Sequence, residues 1–272
     1  MASPLTPQLF AIFSHLVEEV SGLSYGETDR ELFGEKLAAH ALDRGFDALL
    51  DYYYRLRYDD PGRVEITKLV EALLVHETYF FRELPPLVEL VNNCIEPAVR
   101  VKGRARVWSA ACSSGEEPFT MAMLLDARGL LDRVEIVATD ISNATIERAR
   151  TGRHTKRAVR DGHPADLARR YLEIGAQGVA VSPRIREAVT FSQLNLLDGA
   201  AHRDLGLFDA ILCRNVFIYF KDAQVMRAID MLADHLAPGG LIAVGISESL
   251  LRFGTRLVCE ERGSWFFYRA GT

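Results

Sequence analysis

Beyond Pro97 the chain alternates short apolar runs with helical segments, and the runs stop at polar residues. Arg106–Ala111 leads into Gly115, and Val134–Thr139 stops at Asp140. Ala188–Phe191 stops near Asn195, and Phe208–Cys213 stops at Arg214-Asn215. Pro118–Ala127, Thr145–Arg150 and Ala223–Leu236 supply the helical spacing between them. Leu241–Ile246 follows a Pro238-Gly239-Gly240 turn, and Ser264–Arg269 reads as a last strand. Parallel strands need a crossover of a dozen or more residues, usually a helix. The alternation therefore predicts an α/β fold with a mostly parallel sheet and helices on both faces.

Residues 1 to about 90 show no strand pattern. Thr6-Pro7 has the composition of a helix start. Leu9, Phe10, Ile12, Phe13, Leu16, Val17 and Val20 follow at helical spacing up to Ser21-Gly22. Leu32–His40, Phe46–Leu56 and the apolar face Ile66, Leu69, Val70, Leu73 and Leu74 are further helical stretches. Asp59-Asp60-Pro61-Gly62 is a turn. The expected division is a helical N-terminal domain plus linker over 1–90 and a sheet domain over 91–272. Residues 152–187 interrupt the alternation with Gly152, Gly162, Pro164, Gly175, Gly178 and Pro183. Tyr171–Ile174 and Gly178–Val181 suit a hairpin in a small antiparallel insertion; a long surface loop is the equal alternative.

The 32 Lys and Arg against 37 Asp and Glu give a net charge of −5. This disfavours nucleic acid and anionic membrane surfaces, which need a basic field. Cys94, Cys112, Cys213 and Cys259 lie far apart, so neither a disulfide framework nor a metal site is indicated. No apolar run reaches the roughly 18 residues of a membrane span, and Met1-Ala2-Ser3-Pro4 lacks signal-peptide features. A cytoplasmic location is expected.

Ligands of open α/β sheets bind beyond the carboxyl ends of the strands. The first such end carries Cys112-Ser113-Ser114-Gly115-Glu116-Glu117-Pro118, which is not G-x-G-x-x-G. A pyrophosphate seeks bare N–H groups at a helix N-terminus, and Glu116 and Glu117 would repel it there. S-adenosylmethionine (SAM), with a sulfonium, an ammonium and no phosphate, suits the loop better. Asp140 can accept from ribose hydroxyls, Asn195 can read an adenine edge, and Arg214-Asn215 stands where methyl donor and acceptor would meet. Each residue has a plainer alternative. Glu116 and Glu117 would complement a helix dipole, Asp140 would cap the helix after Ser142, and Arg214-Asn215 would form a satisfied turn.

Four segments carry a family resemblance: His76-Glu77-Thr78-Tyr79-Phe80-Phe81-Arg82-Glu83, Val107 through Pro118, Phe191 through Asn195-Leu196-Leu197, and Phe208 through Arg214-Asn215-Val216-Phe217-Ile218-Tyr219-Phe220. With their order and spacing the chain resembles the CheR-type chemotaxis receptor methyltransferases, which are SAM-dependent protein-glutamate O-methyltransferases. The resemblance implies a Rossmann-like class I SAM-dependent methyltransferase sheet. A small all-α N-terminal domain and a small antiparallel β-subdomain at about 155–190 accompany it, the subdomain docking on a receptor tail in some members. It implies cofactor contacts at His76, Thr78, Arg82, Glu117, Asp140, Asn195, Leu196, Arg214 and Asn215. The product would be S-adenosylhomocysteine (SAH). Where the family usually has Asn, this chain has His76, which is bulkier and titratable; an exposed helix-end histidine is its plainer reading.

The implied acceptor is a glutamate in the cytoplasmic helical domain of a methyl-accepting chemoreceptor, reached by a monomer with no membrane insertion. A carboxylate is ionised at neutral pH and needs no general base. Arg82 is the candidate cation that orients carboxylate or cofactor; its other role is a salt bridge with Glu83 or Glu77. Tyr219 is either a lip residue near the methyl group or a core tyrosine. Three alternatives remain. They are a non-catalytic SAM or SAH sensor, a methyltransferase of a signalling pathway other than chemotaxis, and a small-molecule O-methyltransferase needing a base or metal.

Overall fold

A computed structural model of the chain describes residues 5–199 and 202–271. The chain forms two compact units: one runs up to Val75 and includes Tyr219–Gln224, the other comprises His76–Ile218 and the residues from Val225 onward. Residues 76–90, grouped with the helical domain on sequence, fall in the second unit.

The first unit contains α1 (Pro7–Ser21), α2 (Arg30–Asp43), α3 (Leu49–Tyr58) and α4 (Val64–Leu73). Thr6 caps α1, its hydroxyl accepting from the Leu9 N–H at 3.3 Å, with Pro7 in the first turn where a missing N–H costs nothing. The Asp59–Gly62 turn ends with Asp60 accepting from the Glu65 and Ile66 N–H groups at 3.0 and 2.8 Å. Phe13, Leu37, Tyr52, Leu69 and Val70 fill the core. Tyr219–Gln224 joins this unit through the Ser24 N–H to the Tyr219 carbonyl, 2.8 Å, and through Lys221 to Glu18, 2.6 Å.

The second unit holds ten strands: β1 (Ala105–Ala110), β2 (Val134–Asp140), β3 (Arg153–His154), β4 (Leu172–Gly175), β5 (Gly178–Val181), β6 (Val189–Gln193), β7 (Phe208–Leu212), β8 (Leu236–Ala243), β9 (Leu257–Arg262) and β10 (Trp265–Ala270). Seven form one sheet in the order β6-β2-β1-β7-β8-β10-β9. The pairs from β6 to β8 are parallel; β10 runs antiparallel to both neighbours. Strand order reverses at β1, which pairs with β2 on one side and β7 on the other, so this is where a ligand crevice opens. The core residue Trp108 donates through Nε1 to the Thr139 hydroxyl at 2.9 Å and so binds β1 to β2.

Three points differ from the sequence reading. The stretch before β1 is not a plain linker: α5 (Leu84–Leu90), a π-helical turn (Val91–Ile95) and α6 (Glu96–Lys102) run end to end. Proline breaks a helix interior, but Pro85, Pro86 and Pro97 lie in the first turns of α5 and α6, where it is tolerated. The Pro238-Gly239-Gly240 turn lies inside β8, whose register against β7 shifts there. β9 is an edge strand ending Glu260-Glu261-Arg262; charge protects an edge and blurs the strand signal.

The insertion folds as a hairpin, with β3 and β4 each antiparallel to β5. Its helices are α9 (Ala165–Tyr171) and α10 (Pro183–Glu187); α7 (Glu116–Ala127), α8 (Asn143–Thr151) and α11 (Asp222–Asp234) complete the set. Gly178 has φ of +122°, and a Cβ there would lie 2.4 Å from the His154 carbonyl oxygen. Gly178→Ala should therefore lower stability by about 2 kcal/mol or more. An unchanged urea midpoint would show that the hairpin does not hold this register.

Candidate active site

The loop from β1 to α7 is shaped by local strain. Ala111 and Ser113 are non-glycine residues at φ of +60° and +49°. At Gly115, φ is +94°, and an added Cβ would come within 3.0–3.2 Å of Ala149, Phe191 and Phe119, so only glycine fits. The loop is pinned to β2. The Cys112 N–H donates to the Thr139 carbonyl at 2.9 Å and the Ser113 N–H to Asp140 Oδ2 at 2.8 Å. Asp140 Oδ1 accepts from the Ser142 N–H at 3.0 Å. Ser142 itself caps α8, so Asp140 braces two loops and is not the helix cap. Burial pushes the Asp140 carboxyl up from the usual aspartate range; the Ser142 and Ser113 N–H groups and the charge of His76 oppose this only in part.

On the other side of β1 stands a buried cation. The Arg214 side chain is 2% exposed. Its Nη1 donates to Glu117 Oε2 at 2.9 Å, and its Nη2 to Glu83 Oε2 and the Arg82 carbonyl, both at 2.9 Å. Glu117 Oε1 accepts from the Ser109 hydroxyl at 2.7 Å. One guanidinium thus serves two carboxylates, leaving the cluster one negative charge in excess. Burial opposes ionisation of Glu83, but the Arg214 ion pair outweighs it and holds this carboxyl below its ordinary value. The thiols at the same strand ends, Cys112 and Cys213, are buried, and burial pushes both well above the ordinary thiol range. They are inert hydrophobes here.

Of the expected site residues, Glu117, Arg214 and Asn215 come together, with Asp140 across β1. Asn215, at φ of +58°, reaches Glu83 Oε1 through Nδ2 at 3.4 Å. His76 is exposed and acts on Asp140 electrostatically; Thr78 is half-buried in the same segment. Arg82 donates to the Glu77 carbonyl at 2.7 Å and lies 5.6 Å from the Tyr79 ring centre. Neither expected salt bridge of Arg82 forms, because the Glu77 carboxylate pairs with Arg160 and the Glu83 carboxylate with Arg214. Asn195 is half-buried after β6, its Oδ1 accepting from the Leu197 N–H at 3.0 Å; Leu196 is buried. Tyr219 stands in the first unit.

Two carboxylates that hold these loops are not among the site residues expected from sequence. Glu83 was considered only as a partner for Arg82. Glu248 is buried and accepts from the Asn215, Phe217 and Gly245 N–H groups at 2.7–2.8 Å, so it fixes the loop after β7. The same rule that nominated Asp140, a polar residue just past a strand end, would have found it.

The CheR methyltransferase SAM-binding domain matches residues 76–262. Chemotaxis protein methyltransferase 1 of Pseudomonas aeruginosa is 35% identical over 96% of this chain and 97% of its own length. Chemotaxis protein methyltransferase Cher2 of Pseudomonas putida is 35% identical over 89% of this chain and 90% of its own. Chemotaxis protein methyltransferase 2 of Vibrio cholerae is 32% identical over 92% and 88%. The chain belongs to the CheR methyltransferase family. Its sheet unit carries the SAM-binding domain of that family, and SAM is its cofactor. The residues present fit that group. The cluster's excess negative charge suits an ammonium, and two buried polar atoms, Ser113 Oγ and Arg214 Nε, lack partners among the described residues.

Because Asp140 is shifted upward, lowering the pH protonates it before an ordinary aspartate, and the neutral carboxyl is a poorer acceptor for hydroxyls. If Asp140 holds the cofactor, SAH affinity of the wild type should therefore begin to fall on acidification before an ordinary aspartate would titrate. Asp140→Asn should bind weakly, with a flat profile in the same calorimetric titration. A flat wild-type profile would sink the assignment of Asp140 to the cofactor.

Proposed function

We propose that the chain transfers the methyl group of SAM to glutamate side chains in the cytoplasmic helical domain of a methyl-accepting chemoreceptor, yielding glutamate methyl esters and SAH. The printed names of the relatives, chemotaxis protein methyltransferases, support the pathway. The single observation that carries the acceptor chemistry is Arg82. Its guanidinium has no carboxylate partner among the described residues, while its backbone carbonyl is bound to the Arg214 cluster. A planar fork held beside the cofactor cluster without a counter-ion suits a carboxylate brought by the substrate.

SAM, when bound, supplies an electrophilic methyl group on a sulfonium. Glu117 would hold its ammonium, Asp140 its ribose hydroxyls, and Asn195 and Leu196 its adenine. Arg214 and Asn215, with His76, Thr78 and Arg82, would complete the contacts. The acceptor carboxylate is already ionised, so the protein's task is orientation and exclusion of water. Arg82 would orient the acceptor oxygen. This division of labour explains why Cys112 and Cys213 can stay protonated and buried without loss.

Labelled SAM incubated with the protein and receptor-rich membranes should give base-labile label in the receptor band. Arg82→Ala should lose transfer about 100-fold or more at saturating SAM, a larger factor than its loss of SAH affinity. A wild type that binds SAH but forms no base-labile ester is a sensor, and full activity in Arg82→Ala removes that residue from the transfer step.

A further inference from the structure

On the far side of the cofactor loop from Arg214 lies a second buried pair that the mechanism above does not use. His154, in β3, has a side chain 1% exposed; Glu116, the residue before Glu117, has one 4% exposed. His154 Nδ1 donates to Glu116 Oε1 at 2.9 Å. The Ser114 hydroxyl bonds the same carboxylate at 2.8 and 3.0 Å. The imidazole is wedged edge-on between Phe80 and Phe119, with ring centres at 4.8 and 5.9 Å. Its Nε2 is buried without a partner among the described residues.

Packing alone does not account for this. A buried charge and a buried imidazole edge cost desolvation energy, and an apolar pair of the same volume would fill the space at least as well. What the pair adds is direction. Glu116 is held through its side chain by Ser114 and His154. Its carbonyl accepts from the Thr120 hydroxyl at 2.7 Å, and that hydroxyl oxygen takes the Phe81 N–H at 3.0 Å. The Phe80 N–H in turn reaches the Ala158 carbonyl of the insertion at 2.8 Å. Glu116 is therefore the point where the insertion, the 76–83 segment and the β1–α7 loop are joined. Its neighbours carry the cofactor groups: the Ser113 N–H holds Asp140, and Glu117 meets Ser109 and Arg214.

We propose that His154 is a positioning residue for cofactor binding, acting through Glu116 on the backbone that presents Glu117 and braces Asp140. This rests on the reading of Glu117 and Asp140 as cofactor contacts. Through it the small insertion sets the geometry of the SAM loop without touching the cofactor. The hydrogen bond from Nδ1, rather than the ring volume, does the positioning. Asn at 154 keeps a donor near the Nδ1 position, whereas Phe keeps the ring and removes the donor.

The test uses the full chain, SAH calorimetry and steady-state methyl transfer. His154→Asn should bind SAH within about threefold of the wild type. His154→Phe should bind about tenfold more weakly and raise the KM for SAM, with kcat at saturating SAM within about twofold. Should His154→Phe fail to fold, Ser114→Ala releases the same carboxylate while leaving the His154 hydrogen bond in place, and should show a smaller shift of the same kind. Wild-type affinity in the folded His154→Phe variant, or in Ser114→Ala where that variant does not fold, overturns the proposal. So does an equal loss in His154→Asn, which would make the role one of packing. If the wild type itself bound no SAH, the cofactor reading would fall instead.

Discussion

A guanidinium taken out of water is the constraint around which the second unit is arranged. Arg214 is buried at the end of β7, and an isolated charge there would cost several kcal/mol. It is tolerated because Glu83 and Glu117 meet it from two separate segments and the Arg82 carbonyl takes a third bond. Removing Arg214 would leave two carboxylates uncompensated in a low-dielectric site. The 76–83 segment, the head of α7 and the exit of β7 are therefore tied by one residue. Glu248, accepting three backbone N–H groups behind Asn215, keeps that exit in place.

Strain gathers where these ties converge. Among the described residues the non-glycine positions at positive φ are Arg63, Phe81, Glu83, Ala111, Ser113 and Asn215, and all but Arg63 belong to the segments around Arg214 and Asp140. Such conformations cost of order 1–3 kcal/mol each and persist only where surrounding contacts over-determine them. Here the over-determination is visible: Ser113 is held by Asp140, Asn215 by Glu248, and Phe81 by Thr120. The return is a set of charges already placed before a ligand arrives, which lowers the reorganisation needed on binding.

The legible part of the fold is the part governed by local pattern. β1, β2, β6 and β7 and the helices between them follow from apolar runs and helical spacing, because buried parallel strands must be almost continuously hydrophobic. The hairpin of β4 and β5 is visible through its glycines. The helices over 84–102 were not, because Pro85, Pro86 and Pro97 read as breakers until their place in first turns is known. β9 was not, because an edge strand ending Glu260-Glu261-Arg262 lacks alternation. Among the candidate residues, Glu117, Asp140 and Arg214 were nominated from their places at or past strand ends. Glu83, Glu248, Ser114 and His154 were not, because each gains its meaning from a partner distant in the chain or hidden in a loop.

The amino-acid sequence by itself determined the α/β alternation, the strand ends that carry polar groups, and the family. These depend on residue type, spacing and charge sign, which folding does not alter. Tertiary structure alone decided that Arg214 pairs with Glu83 and Glu117, so that Arg82 is left without a carboxylate. It also decided that Asp140 braces loops while Ser142 does the capping, and that Glu116 turns inward to His154. The physical reason is that ion pairing and desolvation act at a few ångströms in space, between residues as distant in the chain as Glu83 and Arg214, 131 positions apart.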